Sequence, residues 1–142
     1  MLFRSMEHAD LDLSDLYKRF KENITYAQKD NQTVRTLRNT SYNGLSFLAH
    51  TAEANFDFIY IDGDHTSAQV MEDAILAWRA LKPGGIMAFD DYGWHVAGKS
   101  LIETPAPAID FFLILRGESA EKIWVPENYQ VWIRKVGTVD KK

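Results

Sequence analysis

Two hydrophobic runs in this chain each stop on carboxylates. In FDFIYIDGDH the apolar run Phe56–Ile61 meets Asp62, Asp64 and His65, and in GGIMAFDDYGWH the run Ile86–Phe89 meets Asp90 and Asp91. Asp62 and Asp90 stand 28 positions apart (90 − 62), room enough for a helix between two neighbouring parallel strands. If the runs are such strands, Asp62, Asp90 and Asp91 converge at one sheet edge and repel unless something positive lies between them. A hard divalent cation such as Mg²⁺ is the natural candidate. A cation there can bind a substrate hydroxyl oxygen and lower its pKa. His65, three positions after Asp62, is an imidazole able to take that proton near neutral pH.

Plainer readings compete at each residue. Asp62, Asp64 and Thr66 lie where a helix N-terminus favours acceptors and negative charge, so capping alone accounts for one or two of them. Asp90 and Asp91 could simply begin a solvated loop, and His65 taken alone would be an ordinary loop histidine. The combination at two strand ends favours a site. Tyr92 and Trp94 could line a substrate pocket or cover the sheet edge. Trp78, Phe111 and Phe112 fit core faces, and His8, His50 and His95 carry no pattern.

The elements that must position these residues follow from hydrophobic spacing. Leu13, Leu16, Tyr17, Phe20, Ile24 and Ala27 recur at helical intervals, with Ser14 as a start signal. Thr33–Leu37 is short and β-prone, and Asn43–Ala54 carries Leu45, Leu48, Ala49 and Ala52 on one helical face. Phe56–Ile61, apolar apart from Asp57, reads as a strand covered on both faces. Ser67–Leu81 is the clearest helix, with Val70, Met71, Ala74, Ile75, Trp78 and Leu81 on one stripe. Lys82-Pro83-Gly84-Gly85 breaks it and returns the chain into the strand Ile86–Phe89. After a polar loop, Thr104-Pro105 opens a helix bearing Ala108, Phe111, Phe112 and Leu115, and Gly117 closes it. Lys122–Val125 and Tyr129–Lys135 form strands around a Pro126-Glu127-Asn128 turn, an antiparallel hairpin. Helix and strand alternate through the middle, which implies a parallel α/β sheet whose ligand site lies beyond the carboxyl ends of its strands.

Composition narrows the function. With 142 residues, 46% of them hydrophobic, the chain suits one globular domain spanning 1–142, with no repeat or linker. A net charge of −4 without a basic cluster argues against a nucleic-acid partner. No apolar run reaches the roughly 20 residues that span a bilayer, and MLFRSMEHADLD lacks the apolar core of a secretory signal. The expected location is therefore cytoplasmic, away from membranes. Absence of cysteine excludes disulfides, thiolate metal sites and a cysteine nucleophile.

Taken in order, FDFIYIDGDH, ALKPGGIMAFDDYGW, PAPAIDFFL and NYQVWIRK resemble the C-terminal part of class I S-adenosylmethionine-dependent methyltransferases, nearest the small-molecule and sugar O-methyltransferases. The resemblance runs from Leu13 onward. It implies a truncated Rossmann-like α/β sheet, mostly parallel with a C-terminal antiparallel hairpin, and helices on both faces. It implies S-adenosylmethionine as cofactor, Mg²⁺ in some members, and methyl transfer to a small-molecule hydroxyl. By the same resemblance the metal ligands fall on Asp62, Asp90 and Asp91 and the general base on His65. The turn near the adenine falls on Asn39, Thr40 and Ser41, so Thr40, Ser41 and Asp62 are the cofactor-binding candidates. The family's acidic residue in that turn and its glycine-rich G-x-G loop are both missing here. The implied chain thus starts after the family's second strand, at the helix Leu13–Ala27. That leaves Phe56–Ile61 with an open edge, an association hazard, and a homodimer or higher oligomer is expected to cover it. Two alternatives stand beside the methyltransferase. One is an inactive, truncated fold acting as an oligomeric or partner-binding module, the other a metal-dependent hydrolase using Asp62, His65, Asp90 and Asp91.

Overall fold

The computed structural model describes residues 15–51, 56–123 and 129–137. In chain order the elements are α1 (Leu16–Ala27), α2 (Ser41–His50), β1 (Phe56–Ile61), α3 (Ser67–Ala80), β2 (Leu81–Phe89), α4 (Ala106–Arg116), β3 (Ala120–Ile123) and β4 (Val131–Lys135). The four strands form one open sheet in the order β1-β2-β4-β3. β1 and β2 run parallel, joined by α3, while β2–β4 and β3–β4 are antiparallel. This is a mixed α/β sheet of Rossmann-like kind. The expected turn 126–128, the end of the first hairpin strand at Val125 and the expected cap Ser14 lie outside the described residues. No helix among the described residues is long and apolar enough to cross a membrane.

Strand alternation decides what is buried. Ile59 and Ile61 of β1, Met87 and Phe89 of β2, and Val131 and Ile133 of β4 meet Val70, Ala74, Ala77 and Trp78 of α3 and Ala108, Ile109 and Phe112 of α4 in a single core. Phe112 sits at its centre, edge-on to Trp78 at 5.6 Å and to Phe89 at 5.7 Å. Its neighbour Phe111, expected on the same face, instead stays exposed, as does Leu115. Phe58 and Tyr60 leave β1 on the other side and remain nearly half exposed, with Phe58 tilted against Trp132 at 5.6 Å, so the strand expected to be covered on both faces is buried on one only.

The glycine breaker behaves in an instructive way. Phe56 pairs with Leu81 and Phe58 with Ile86, so two steps along β1 correspond to five along β2. Lys82-Pro83-Gly84-Gly85 is therefore a bulge inserted into the parallel pair, with Gly84 at φ 82°. A side chain at Gly85 would meet the Leu81 side chain at 2.8 Å and the Asp57 carbonyl at 3.1 Å. At the far end of α4, Gly117 takes φ 49°, and its N–H closes on Leu113, the cap its sequence position implies.

One expected element is absent. Thr33–Leu37 forms no strand and pairs with no other strand among the described residues. β propensity needs a strand to pair with, and no described strand pairs with this segment. Leu37 instead lies over α2, so close that a Cβ on the helical Gly44 would stand 3.3 Å from its Cδ2.

Candidate functional site

The parallel pair places the acidic residues together. Ile61 is in register with Phe89, and the Asp90 N–H donates to the Ile61 carbonyl at 2.9 Å, so Asp62 and Asp90 emerge side by side at the carboxyl edge. The two members of the acidic pair then part. Phe89 faces the core, so alternation sends Asp90 to the opposite face, where Tyr60 also lies. There its carboxylate accepts from the Tyr60 hydroxyl and, at 2.9 Å, from Gln130 Nε2. Asp91 adopts φ 56°, a left-handed conformation that aspartate tolerates better than most residues, and the chain turns there.

Asp91 is held from two sides. Its Oδ2 lies 2.8 Å from His65 Nε2, and its Oδ1 accepts from the Tyr129 hydroxyl at 2.9 Å. The His65 ring stacks on Trp94 at 4.7 Å and 18°, and the Lys99 ammonium lies 4.8 Å from the centroid of the same Trp94 ring. One ligand atom each from Asp62, His65 and Asp91 lies within 4.8 Å of the others. Asp62, Asp91 and the proposed base His65 are thus brought together, while the third expected ligand, Asp90, is engaged by Tyr60 and Gln130.

Electrostatics follow from this geometry. Desolvation of its carboxyl by neighbouring atoms, although the residue as a whole is exposed, and then the charges of Asp90 and Asp91 push Asp62 above its ordinary range. Burial pushes Asp90 the same way, but the hydrogen bonds from Tyr60, Gln130 and the Asp91 amide outweigh it, and Asp90 ends below the usual carboxylate range. Tyr60 is raised well above a free phenol, by burial and by its bond to Asp90. The repulsion felt at Asp62 is what a bound cation would relieve. Two carboxylates are hard oxygen donors of the type Mg²⁺ takes, so the donor set fits such an ion.

The remaining candidates have structural partners. Asp64 Oδ1 accepts from the Thr66 N–H at 2.7 Å, the capping role open to it from sequence. Thr40 caps α2, its hydroxyl accepting from the Asn43 N–H at 3.3 Å, and Ser41 is buried with its hydroxyl bonded to Asp73. Both cofactor candidates on α2 therefore use their hydroxyls inside the chain, and Asp62 stays exposed. Tyr92 packs against the core and donates to Asp110 of α4 at 3.1 Å, so it covers the sheet edge. His50 bonds within its own helix, to the Ser46 carbonyl at 2.7 Å, and His8 lies outside the described residues. Sequence reading missed Tyr60, Tyr129 and Gln130. Each was absorbed into a strand, and only their polar groups next to apolar runs hinted at another role.

A sequence profile described as a methyltransferase domain matches residues 3–92, which is more than half of the chain. The chain belongs to this methyltransferase family. No curated protein matches it. Among solved structures, a protein from Corynebacterium glutamicum shares 18% identity at a TM-score of 0.64, over 96% of this chain and 59% of its own. The MycE methyltransferase of the mycinamycin biosynthetic pathway, solved in complex with Mg, SAH and mycinamycin VI, shares 16% identity at a TM-score of 0.55. That alignment covers 99% of this chain and 46% of MycE. The methyltransferase domain described here thus spans roughly half to three fifths of the length of these structural relatives, and at such identities the likeness concerns the fold.

Proposed function

We propose that this domain serves S-adenosylmethionine-dependent O-methylation of a small-molecule hydroxyl, with a divalent cation held by Asp62 and Asp91. The observation that supports this reading most is the cluster of Asp62, His65 and Asp91 at the carboxyl edge of β1 and β2. The family membership and a structural relative solved with Mg and SAH add to it.

In this reading S-adenosylmethionine supplies an electrophilic methyl group and the cation supplies charge that favours the ionised hydroxyl. The chain's own residues do the rest. Asp91 accepts from His65 Nε2–H, which leaves the lone pair on Nδ1 as proton acceptor and fixes the ring plane. Trp94, stacked on that ring, limits its rotation. His65 would take the hydroxyl proton, and the sulfonium, having given up its methyl group to the oxygen, would leave as the neutral thioether S-adenosylhomocysteine. A second copy covering the free edge of β1, beside the half-exposed Phe58 and Tyr60, belongs to the same proposal.

Calorimetric titration with Mg²⁺ and with S-adenosylmethionine, each alone and together, tests it. Saturable binding of both ligands, with Mg²⁺ binding lost in Asp62→Asn, is the expected result. Cation binding without the nucleoside would turn the reading towards a metal-dependent hydrolase. Binding of neither would leave a methyltransferase fold used as a partner-binding module.

A further inference from the structure

Two consecutive residues before β4 take hold of the two consecutive carboxylates after β2. Tyr129 donates to Asp91 Oδ1 at 2.9 Å, leaving Oδ2 to His65. Gln130 Nε2 donates both to Asp90 Oδ1 at 2.9 Å and to the Tyr60 hydroxyl oxygen at 2.8 Å. The Gln130 Oε1 accepts from Trp132 Nε1 at 3.0 Å. Because an indole N–H only donates, that bond fixes the amide so that its NH₂ must face Asp90. The backbone is tied as well, since the Gly93 N–H donates to the Tyr129 carbonyl at 3.3 Å.

Resting on the cation reading above, we propose that Tyr129 is a positioning residue for Asp91, and that Gln130 and Tyr60 hold Asp90 out of the cation's shell. The approach to β4 thereby selects Asp91 as the partner of Asp62. The charge count supports the division. Two carboxylates match one divalent cation, and the third is satisfied by the neutral donors Tyr60 and Gln130. A ligating carboxylate keeps its orientation through its outer hydrogen bonds, and losing such a partner typically costs ~10–100-fold in metal affinity.

Mn²⁺ binding to the whole chain, followed by electron paramagnetic resonance, tests this with four proteins: wild type, Tyr129→Phe, Gln130→Leu and Asp62→Asn. Tyr129 is 46% exposed, so replacing it by Phe removes a hydroxyl without opening the core. The expected result is binding about 10-fold weaker in Tyr129→Phe, and tighter in Gln130→Leu because Asp90 then keeps only its Tyr60 bond and can turn towards the ion. Melting temperatures of the metal-free proteins run alongside. A general loosening before β4 would weaken Mn²⁺ binding in both variants, whereas positioning moves them in opposite directions. Wild-type affinity in Tyr129→Phe, or weaker binding in Gln130→Leu, overturns the inference while leaving the cation site standing. Failure of the wild type to bind, or unchanged binding in Asp62→Asn, removes the cation reading itself and this inference with it.

Discussion

The two ends of this chain carry similar sequence patterns and meet different fates. Leu16, Tyr17, Phe20 and Ile24 mark an apolar stripe on α1 as regular as the one on α3. Yet α1 buries none of its residues, whereas α3 buries Val70, Asp73, Ala74, Ala77, Trp78 and Ala80. Among the described residues α1 makes surface contacts, such as Tyr17 stacked near Phe20 at 6.3 Å and the Arg38 guanidinium 4.7 Å from the Tyr17 ring. Periodicity specifies a helix and its sided surface. It does not specify what lies against that surface, and most helical stability comes from that packing. The candidate site belongs entirely to the packed end, where the carboxyl edge of β1 and β2 is held by α3, α4 and β4.

This contrast is open to test, and the largest effect should come from the core. Phe112 is fully buried between Trp78 and Phe89, so Phe112→Ala should cost about 3–5 kcal/mol in stability. Phe20→Ala on α1, at a half-buried position, should cost about 1 kcal/mol or less. Urea denaturation of the two variants measures both. Similar losses would mean that α1 carries packing weight after all, and the distinction between the two ends would fail.

A smaller effect should appear where β4 meets α3. Lys135 Nζ donates to the carbonyls of Trp78 and Leu81, each at 2.7 Å, and lies 5.2 Å from the Trp78 ring centroid. It thus supplies a positive charge and two donors where α3 runs out of intrahelical partners. Burial, and then the charge of Arg116, lower its pKa, so the ammonium is held at some electrostatic cost. Lys135→Met keeps the stem and loses the donors, and should destabilise by roughly 1.5–3 kcal/mol. Stability unchanged in that variant would mean that water replaces both bonds without loss.

The sequence made the packed end legible in proportion to how local its signals were. The run Phe56–Ile61, the helix Ser67–Ala80 and the cap at Gly117 each follow from a few neighbouring residues, and the structure places them within a residue of expectation. The convergence of Asp62, His65 and Asp91 was legible too, because parallel neighbours bring their carboxyl ends together. Thr33–Leu37 failed as a strand for a related reason: propensity is local, whereas pairing needs a second strand, and no described strand pairs with these residues. The parting of Asp90 from Asp91 was illegible because it depends on one positive φ and on Tyr129 and Gln130, some 38 to 40 positions away. Nothing in the local pattern DDY marks that division.

The seam between the two ends offers the subtlest test. Ser41, at the start of α2, bonds to the buried Asp73 of α3, and this pair joins α2 to the body. Burial raises the Asp73 carboxyl above its ordinary range, the Ser41 hydroxyl offsets part of that, and the charges of Glu72 and Asp64 add to it. The unfolded chain therefore gives up this proton at lower pH than the fold does. Stability carried by the neutral acid is full below the unfolded pKa and is lost as pH rises through the folded one. Asp73→Asn keeps an acceptor for Ser41 and carries no charge at any pH. It should match the wild type in acid, below about pH 4, and melt a few degrees higher at neutral pH. A variant less stable than the wild type at neutral pH would show that the ionised carboxylate holds α2 more strongly than its burial opposes, and that the seam is electrostatic.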